Sequence, residues 1–119
     1  MKRVIIESPY AGKGATAEER AANTERNLRY LRACMADCFK RGESPFASHG
    51  LYTQPGVLDD TIPAEREMGI LAGFAWREAA DLTVVYTDLG ISGGMEFGIS
   101  DARRIGQEVD MRRLGGEWS

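Results

Sequence analysis

The alternation of apolar and polar positions divides the chain into strands and helices in turn. Arg3 to Glu7 sets Val4, Ile5 and Ile6 in a row shortly before Pro9. A proline cannot donate to a sheet ladder, so the run predicts a first strand that stops there. Thr16 and Glu19 have the capping-box spacing, and Leu28, Leu31, Cys34, Met35 and Cys38 keep a helical stripe until Gly42, which predicts a long first helix. A start nearer Asn23 is the alternative, leaving Gly12 to Ala22 as a mobile arm. Pro45 to Ser48 reads as a short second strand, and His49 to Asp60, with Gly50, Pro55 and Gly56, reads as a loop. Its length marks it as either functional or disordered. Pro63 suits the first turn of a helix capped by Asp60 or Thr61, with Ile70, Leu71, Phe74 and Ala75 as the buried face.

Leu82 to Tyr86 is a β-branched, apolar run of the kind that is covered on both faces. A polar, glycine-containing loop follows, and then Met95, Ile99, Ala102 and Ile105 recur at helical spacing, with Glu96 in the first turn. Gly106 ends that helix. Glu108 to Leu114 predicts a fourth strand of mixed polarity, suited to a sheet edge, before the tail Gly115 to Ser119. Strands alternating with helices imply parallel pairing and right-handed crossovers. The expected fold is α/β, a three-layer flavodoxin-like or Rossmann-like sandwich with a mainly parallel sheet of about four strands in the order 2-1-3-4. Its switch point would lie between the first and third strands, where the Ser8 to Gly12 loop meets the Thr87 to Glu96 loop.

A length of 119 residues predicts one domain, residues 1–119. The net charge of −3 supplies no basic field for a phosphate backbone, so nucleic acid is not an expected partner. No apolar run approaches the roughly 18 residues of a membrane span, and the start Met-Lys-Arg-Val is charged too early for a signal peptide. No membrane partner and a cytoplasmic location are therefore expected. The only cysteines, Cys34 and Cys38, lie one helical turn apart on the apolar stripe, where free thiols act as small hydrophobes. Neither a metal site nor a cofactor is expected.

Gly12-Lys13-Gly14-Ala15-Thr16-Ala17 matches the dinucleotide fingerprint, but Pro9 and Tyr10 separate its first glycine from the strand, and no acid ends the second strand to read a ribose. A P-loop is absent. Ser8, His49 and Glu96 supply the residue types of a hydrolase triad without the elbow that such a serine needs. His49, the single histidine, reads instead as a loop residue that bonds a ligand or the backbone. Glu96 has two readings: it favours the helix dipole, or it attacks the anomeric carbon of a sugar that approaches past Gly93 and Gly94. Asp88 would share that rim, to bind ribose hydroxyls or to orient a leaving base. Tyr10, Tyr52 and Phe97 are candidates to stack a base. A phosphorylated ligand would draw on Lys13, Arg66 and the backbone from Ser92 through Gly93 and Gly94 to Met95.

Ile5-Ile6-Glu7-Ser8-Pro9-Tyr10-Ala11-Gly12, Ala80-Asp81 and Gly94-Met95-Glu96-Phe97-Gly98 together resemble a reduced nucleoside 2-deoxyribosyltransferase-like domain. The resemblance implies that Glu96 holds the position of that family's nucleophile and that Ser8, Pro9, Tyr10 and Gly12 belong to a loop holding sugar and base. The whole chain, including Ala47 to Asp60, more closely resembles a group of small proteins of phage and prophage genomes. In size and ligand class it is similar to the sponges that sequester ADP-ribose-type signals made by TIR domains. Three functions stay open: a homo-oligomeric module binding a nucleotide or nucleoside in a bacterial host, an enzyme acting on an N-glycosidic bond through Glu96, and a structural protein with no small ligand. Trp118 either folds back over the sheet or docks on a second copy, and an oligomer in which it approaches a partner is expected.

Overall fold

The computed structural model describes residues 1–118. Its elements are β1 (Arg3–Glu7), α1 (Ala17–Lys40), β2 (Ser44–Phe46), α2 (Ser48–Leu51), α3 (Pro63–Arg77), β3 (Leu82–Tyr86), α4 (Gly93–Arg104) and β4 (Glu108–Arg112). The strands form one sheet in the order β2-β1-β3-β4, every pair parallel. This is the flavodoxin-like α/β architecture expected from the sequence, and its switch point lies between β1 and β3, where the chain's winding reverses.

Strand alternation sorts the core into two faces. Val4 and Ile6 of β1 with Leu82, Val84 and Tyr86 of β3 meet Tyr30, Leu31, Cys34 and Cys38 of α1. On the other face Val85 meets Met95 and Ile99 of α4. Both cysteines are free and buried, filling space against the sheet as small apolar groups.

The α1 cap is the expected one: Thr16 Oγ1 accepts from Glu19 N at 3.1 Å and the helix begins at Ala17, so the alternative start nearer Asn23 with a mobile arm falls. Other boundaries differ from expectation. Strand β2 is shifted to Ser44–Phe46, and Ser48 opens the short α2 within what reads as loop. Pro63 begins α3, but the cap is Ile62, without a side-chain bond; Asp59 instead accepts from Thr61 N and Oγ1 in a local turn. Strand β4 ends at Arg112, two residues short of Leu114. The expected buried face of α3 is also corrected, because Leu71 is 58% exposed and Ala75 is exposed. The helix turns Gly69, Ile70, Gly73, Phe74 and Arg77 inward.

The tail folds back on its own domain. Asp88 Oδ1 accepts from Tyr30 Oη at 2.7 Å and from Leu114 N at 2.9 Å, while Oδ2 accepts from Gly115 N at 3.0 Å. That clamp delivers Trp118 edge-on to Tyr30, ring centroids 4.8 Å apart. The indole is thus used within the chain, and it gives no reason to invoke a partner. Truncating a half-buried indole should cost about 1–3 kcal/mol, less than the roughly 3–5 kcal/mol of fully buried aromatic truncations. Urea unfolding of Trp118→Ala is expected to show a midpoint lowered accordingly; an unchanged midpoint would mean that the tail contributes nothing to the core.

Candidate functional site at the carboxyl edge of the sheet

A cavity of about 360 Å³ opens at the carboxyl ends of β1 and β2, between α3 and the first turns of α4. This is within the size range of small-molecule sites. Its floor is the end of β1, Glu7 and Ser8. Its walls come from Tyr10 to Lys13, from His49 and Tyr52, from the inward stripe of α3, and from Ser92 to Met95 with Phe97 and Gly98.

The floor is fixed by a buried guanidinium. Arg77 donates through Nε to Asp101 Oδ2 at 3.1 Å, through Nη1 to Thr83 Oγ1 at 2.5 Å and through Nη2 to Glu7 Oε2 at 2.7 Å. Burial pushes the Glu7 carboxyl up to about 6 although Arg77 opposes the shift, and the nearby Asp101 adds to it. Gly98 lies directly over this carboxylate, where a Cβ would collide with it. Beside it, Ser8 Oγ and His49 Nε2 share a hydrogen bond of 2.8 Å. Desolvation lowers His49 to about 4, so the imidazole is neutral at ordinary pH.

The mouth has the opposite character. Ser92 caps α4 by accepting from Met95 N at 3.3 Å, and Glu96 N donates to Ser92 O, whereas the N–H groups of Gly93 and Gly94 have no partner among the described residues. Arg66 Nη2 lies 3.9 Å from where a Gly94 Cβ would stand. A cation therefore flanks free backbone donors at a helix N-terminus, the setting that favours an anion. Arg66 is also 3.6 Å from Asp60, which keeps that side chain near the mouth.

Of the residues singled out in the sequence, Ser8, Tyr10, Gly12, His49, Tyr52, Ser92, Gly93, Gly94 and Met95 line the cavity, as do Lys13, Arg66 and Phe97. Pro9, Asp88 and Glu96 do not. Asp88 follows Tyr86 by two residues, so strand alternation carries it to the α1 face and into the tail clamp. Glu96 is about 200° round the helix from Gly94 and is exposed. The dinucleotide-like loop is folded on α1, with Gly12 N bonded to Thr24 Oγ1 at 2.8 Å and Arg20 Nη1 to Gly14 O at 3.2 Å, so Gly12 N–H is already taken. Sequence reasoning missed Glu7 and Arg77. The signal was present in Arg77, a charged residue on the Gly69, Ile70, Gly73, Phe74 stripe.

Among the described residues no group of three or more His, Cys, Asp or Glu could hold a metal ion, and no helix is long and apolar enough to cross a membrane.

Parallel sheet and switch point together define a flavodoxin-like domain, with a cavity at the carboxyl edge of its sheet. The chain belongs to the family described as a domain of unknown function, DUF7768, whose profile matches residues 2–112. Among solved structures it is similar to the 2-deoxyribosyltransferase of the psychrotolerant bacterium Bacillus psychrosaccharolyticus, with a TM-score of 0.67 and 15% identity over 97% of this chain and 74% of that one. At that identity the likeness establishes the shared fold. No curated protein matches the sequence.

Glu7 and His49 predict opposing pH effects on stability. The raised carboxyl of Glu7 contributes stability that is present below about 4.5 and lost as pH rises through about 6, on the order of 2 kcal/mol. The lowered imidazole of His49 contributes stability that is present above 6.5 and lost as pH falls towards 4. In the parent the two partly offset one another, the His49 effect being the larger. Glu7→Gln should leave the His49 contribution uncompensated, so its unfolding free energy should fall more steeply than the parent's on acidification from pH 6.5 to 4. Parallel slopes in denaturant titrations would contradict this.

Proposed function

We propose that the domain binds a nucleotide-type ligand in the edge cavity and holds it without chemical change. The observation that carries this is the pairing of free Gly93 and Gly94 N–H groups with Arg66 at the mouth of an aromatic-walled cavity. A phosphate fits the mouth. Tyr10, Tyr52, Phe74 and Phe97 offer faces for a base, and Lys13 supplies a second cation. The likeness to a 2-deoxyribosyltransferase supports a ligand of the nucleoside class. ADP-ribose-type molecules, the class expected from the resemblance to sequestering proteins, have the same parts.

Binding is favoured over turnover because Glu96 lies outside the cavity lining. Glycosyl transfer or hydrolysis through Glu96, with retention if a glycosyl-enzyme forms, is the second reading, supported by the fold likeness alone. A homo-oligomer belongs to the proposal as well. Met68, Leu71 and Trp76 on α3 and Phe97 beside the mouth are all more than half exposed, which supports burial against a second copy.

Mass spectrometry after incubation with nucleosides, nucleoside monophosphates and ADP-ribose separates the two readings: intact ligand released on heating supports binding, and free base supports the enzyme. A side chain at Gly94 would meet only Arg66 Nη2 at 3.9 Å and Ser92 Oγ at 4.0 Å, so the helix accommodates it while the mouth narrows. Gly94→Val should weaken binding at least tenfold with the unfolding free energy within about 1 kcal/mol of the parent. Undiminished affinity would remove the ligand from this location. Sedimentation velocity checks the assembly.

A further inference from the structure

The floor of the cavity carries a hydrogen-bond acceptor that none of the described residues uses. Glu7 Oε2 is held by Arg77, but Oε1 has no partner among the described residues. No buried side-chain oxygen in the described structure lacks a partner, so Oε1 must be reached from the cavity even though the side chain is only 12% exposed. An acceptor this desolvated calls for a donor. A phosphate is excluded there by charge, and a purely apolar group would leave the oxygen unpaired.

The position specifies which donor. Gly98 covers the Glu7 carboxylate, and Gly94, beside the anion-favouring mouth, is one turn earlier on the same helix. Four residues of helix rise about 6 Å. That is comparable to the span across a pentose from its 5′-phosphate to its ring hydroxyls. A carboxylate oxygen keeps two lone pairs and can accept from neighbouring hydroxyls, the pairing by which an acid reads a ribose in dinucleotide sites.

We propose that Glu7 selects a ribonucleotide: its Oε1 accepts the 2′ and 3′ hydroxyls of the sugar while the 5′-phosphate occupies the mouth at the N-terminus of α4. This rests on the reading of the cavity as a nucleotide site. Glu7 is then a specificity-determining residue in contact with the ligand, and the sugar preferred is ribose rather than 2-deoxyribose.

Acidity provides an independent readout. The groups packed around the carboxylate are Arg77 from α3, Asp101 from α4 and, across the same floor, His49 from α2, which stays neutral above about 4. With its carboxyl raised to about 6, Glu7 takes up a proton on mild acidification and loses its accepting charge. The phosphate of the ligand titrates in the same range, but equally in the ribo and deoxy forms. The ratio of their affinities therefore isolates Glu7.

The test is calorimetric titration of the unaltered protein with the four ribonucleoside 5′-monophosphates and their 2′-deoxy counterparts. For the base bound most tightly, the ribo form should bind about tenfold tighter at pH 7.5, and the preference should shrink towards parity at pH 5. Glu7→Gln, checked for folding by circular dichroism, should show little preference at either pH. Equal or tighter binding of the deoxy forms at pH 7.5 overturns the role of Glu7 and leaves the cavity assignment standing, as does an undiminished preference in Glu7→Gln. Binding of neither sugar overturns both.

Discussion

The guanidinium of Arg77 is the interaction on which the cavity side of the molecule depends. It joins four elements: its own α3, β1 through Glu7, β3 through Thr83 and α4 through Asp101. Towards the cavity α3 presents the stripe ending in Arg77, while α2 and the Phe46–Trp76 ring contact at 5.6 Å hold its other side. Removing a buried ion's partner usually costs more than the pair contributes, so this junction acts chiefly as a specification of geometry. It also sets the chemistry of the floor. Arg77 is shared between two carboxylates, and Asp101 takes a second guanidinium from Arg104. Glu7 has no such second cation, and its proton affinity rises with burial.

On the opposite face of the sheet a second buried guanidinium ties α1 to the strands. Arg112 reaches Glu43 with two bonds of 2.7 Å each and also donates to Tyr86 Oη at 3.4 Å, locking the base of α1 to the strands. Tyr86 Oη in turn donates to Asp37. These partners hold the Asp37 and Glu43 carboxyls below their ordinary range, and burial pushes the Cys34 thiol far up. Nucleophilic chemistry at either cysteine is thereby suppressed.

Strand order, parallel pairing and the α1 cap were legible in the sequence because they follow from backbone periodicity and from residues with fixed conformational preferences, such as Pro9, Thr16 and Pro63. The loops forming the site were legible for the same reason, since topology alone brings the ends of β1 and β3 together. Side-chain direction was not. An acid near a switch point invites a functional reading, yet Asp88 and Glu96 are turned away by the phase of the strand and helix that carry them. Both orientations follow from the observed facing of Tyr86 towards α1 and of Met95 towards the sheet. The inward face of α3 was misjudged on the assumption that a helical stripe faces a filled core; here it faces a void, with glycines and an arginine among the apolar positions.

That void is made by absent side chains. Gly69 and Gly73 on α3 and Gly98 on α4 are interior helical positions that line it, where glycine costs roughly 0.5–1 kcal/mol relative to alanine. At Gly73 a Cβ would strike Ser48, and at Gly98 it would strike Glu7, so close approach explains those two. At Gly69 a Cβ would meet only Leu58 Cδ1 at 3.3 Å, and at Gly94 the contacts are looser still. Packing alone does not require glycine at Gly94. At Gly94 the helix thus leaves open a volume that packing does not require, beside backbone donors and a carboxylate oxygen without partners among the described residues, and this is the volume that the proposed ligand would fill.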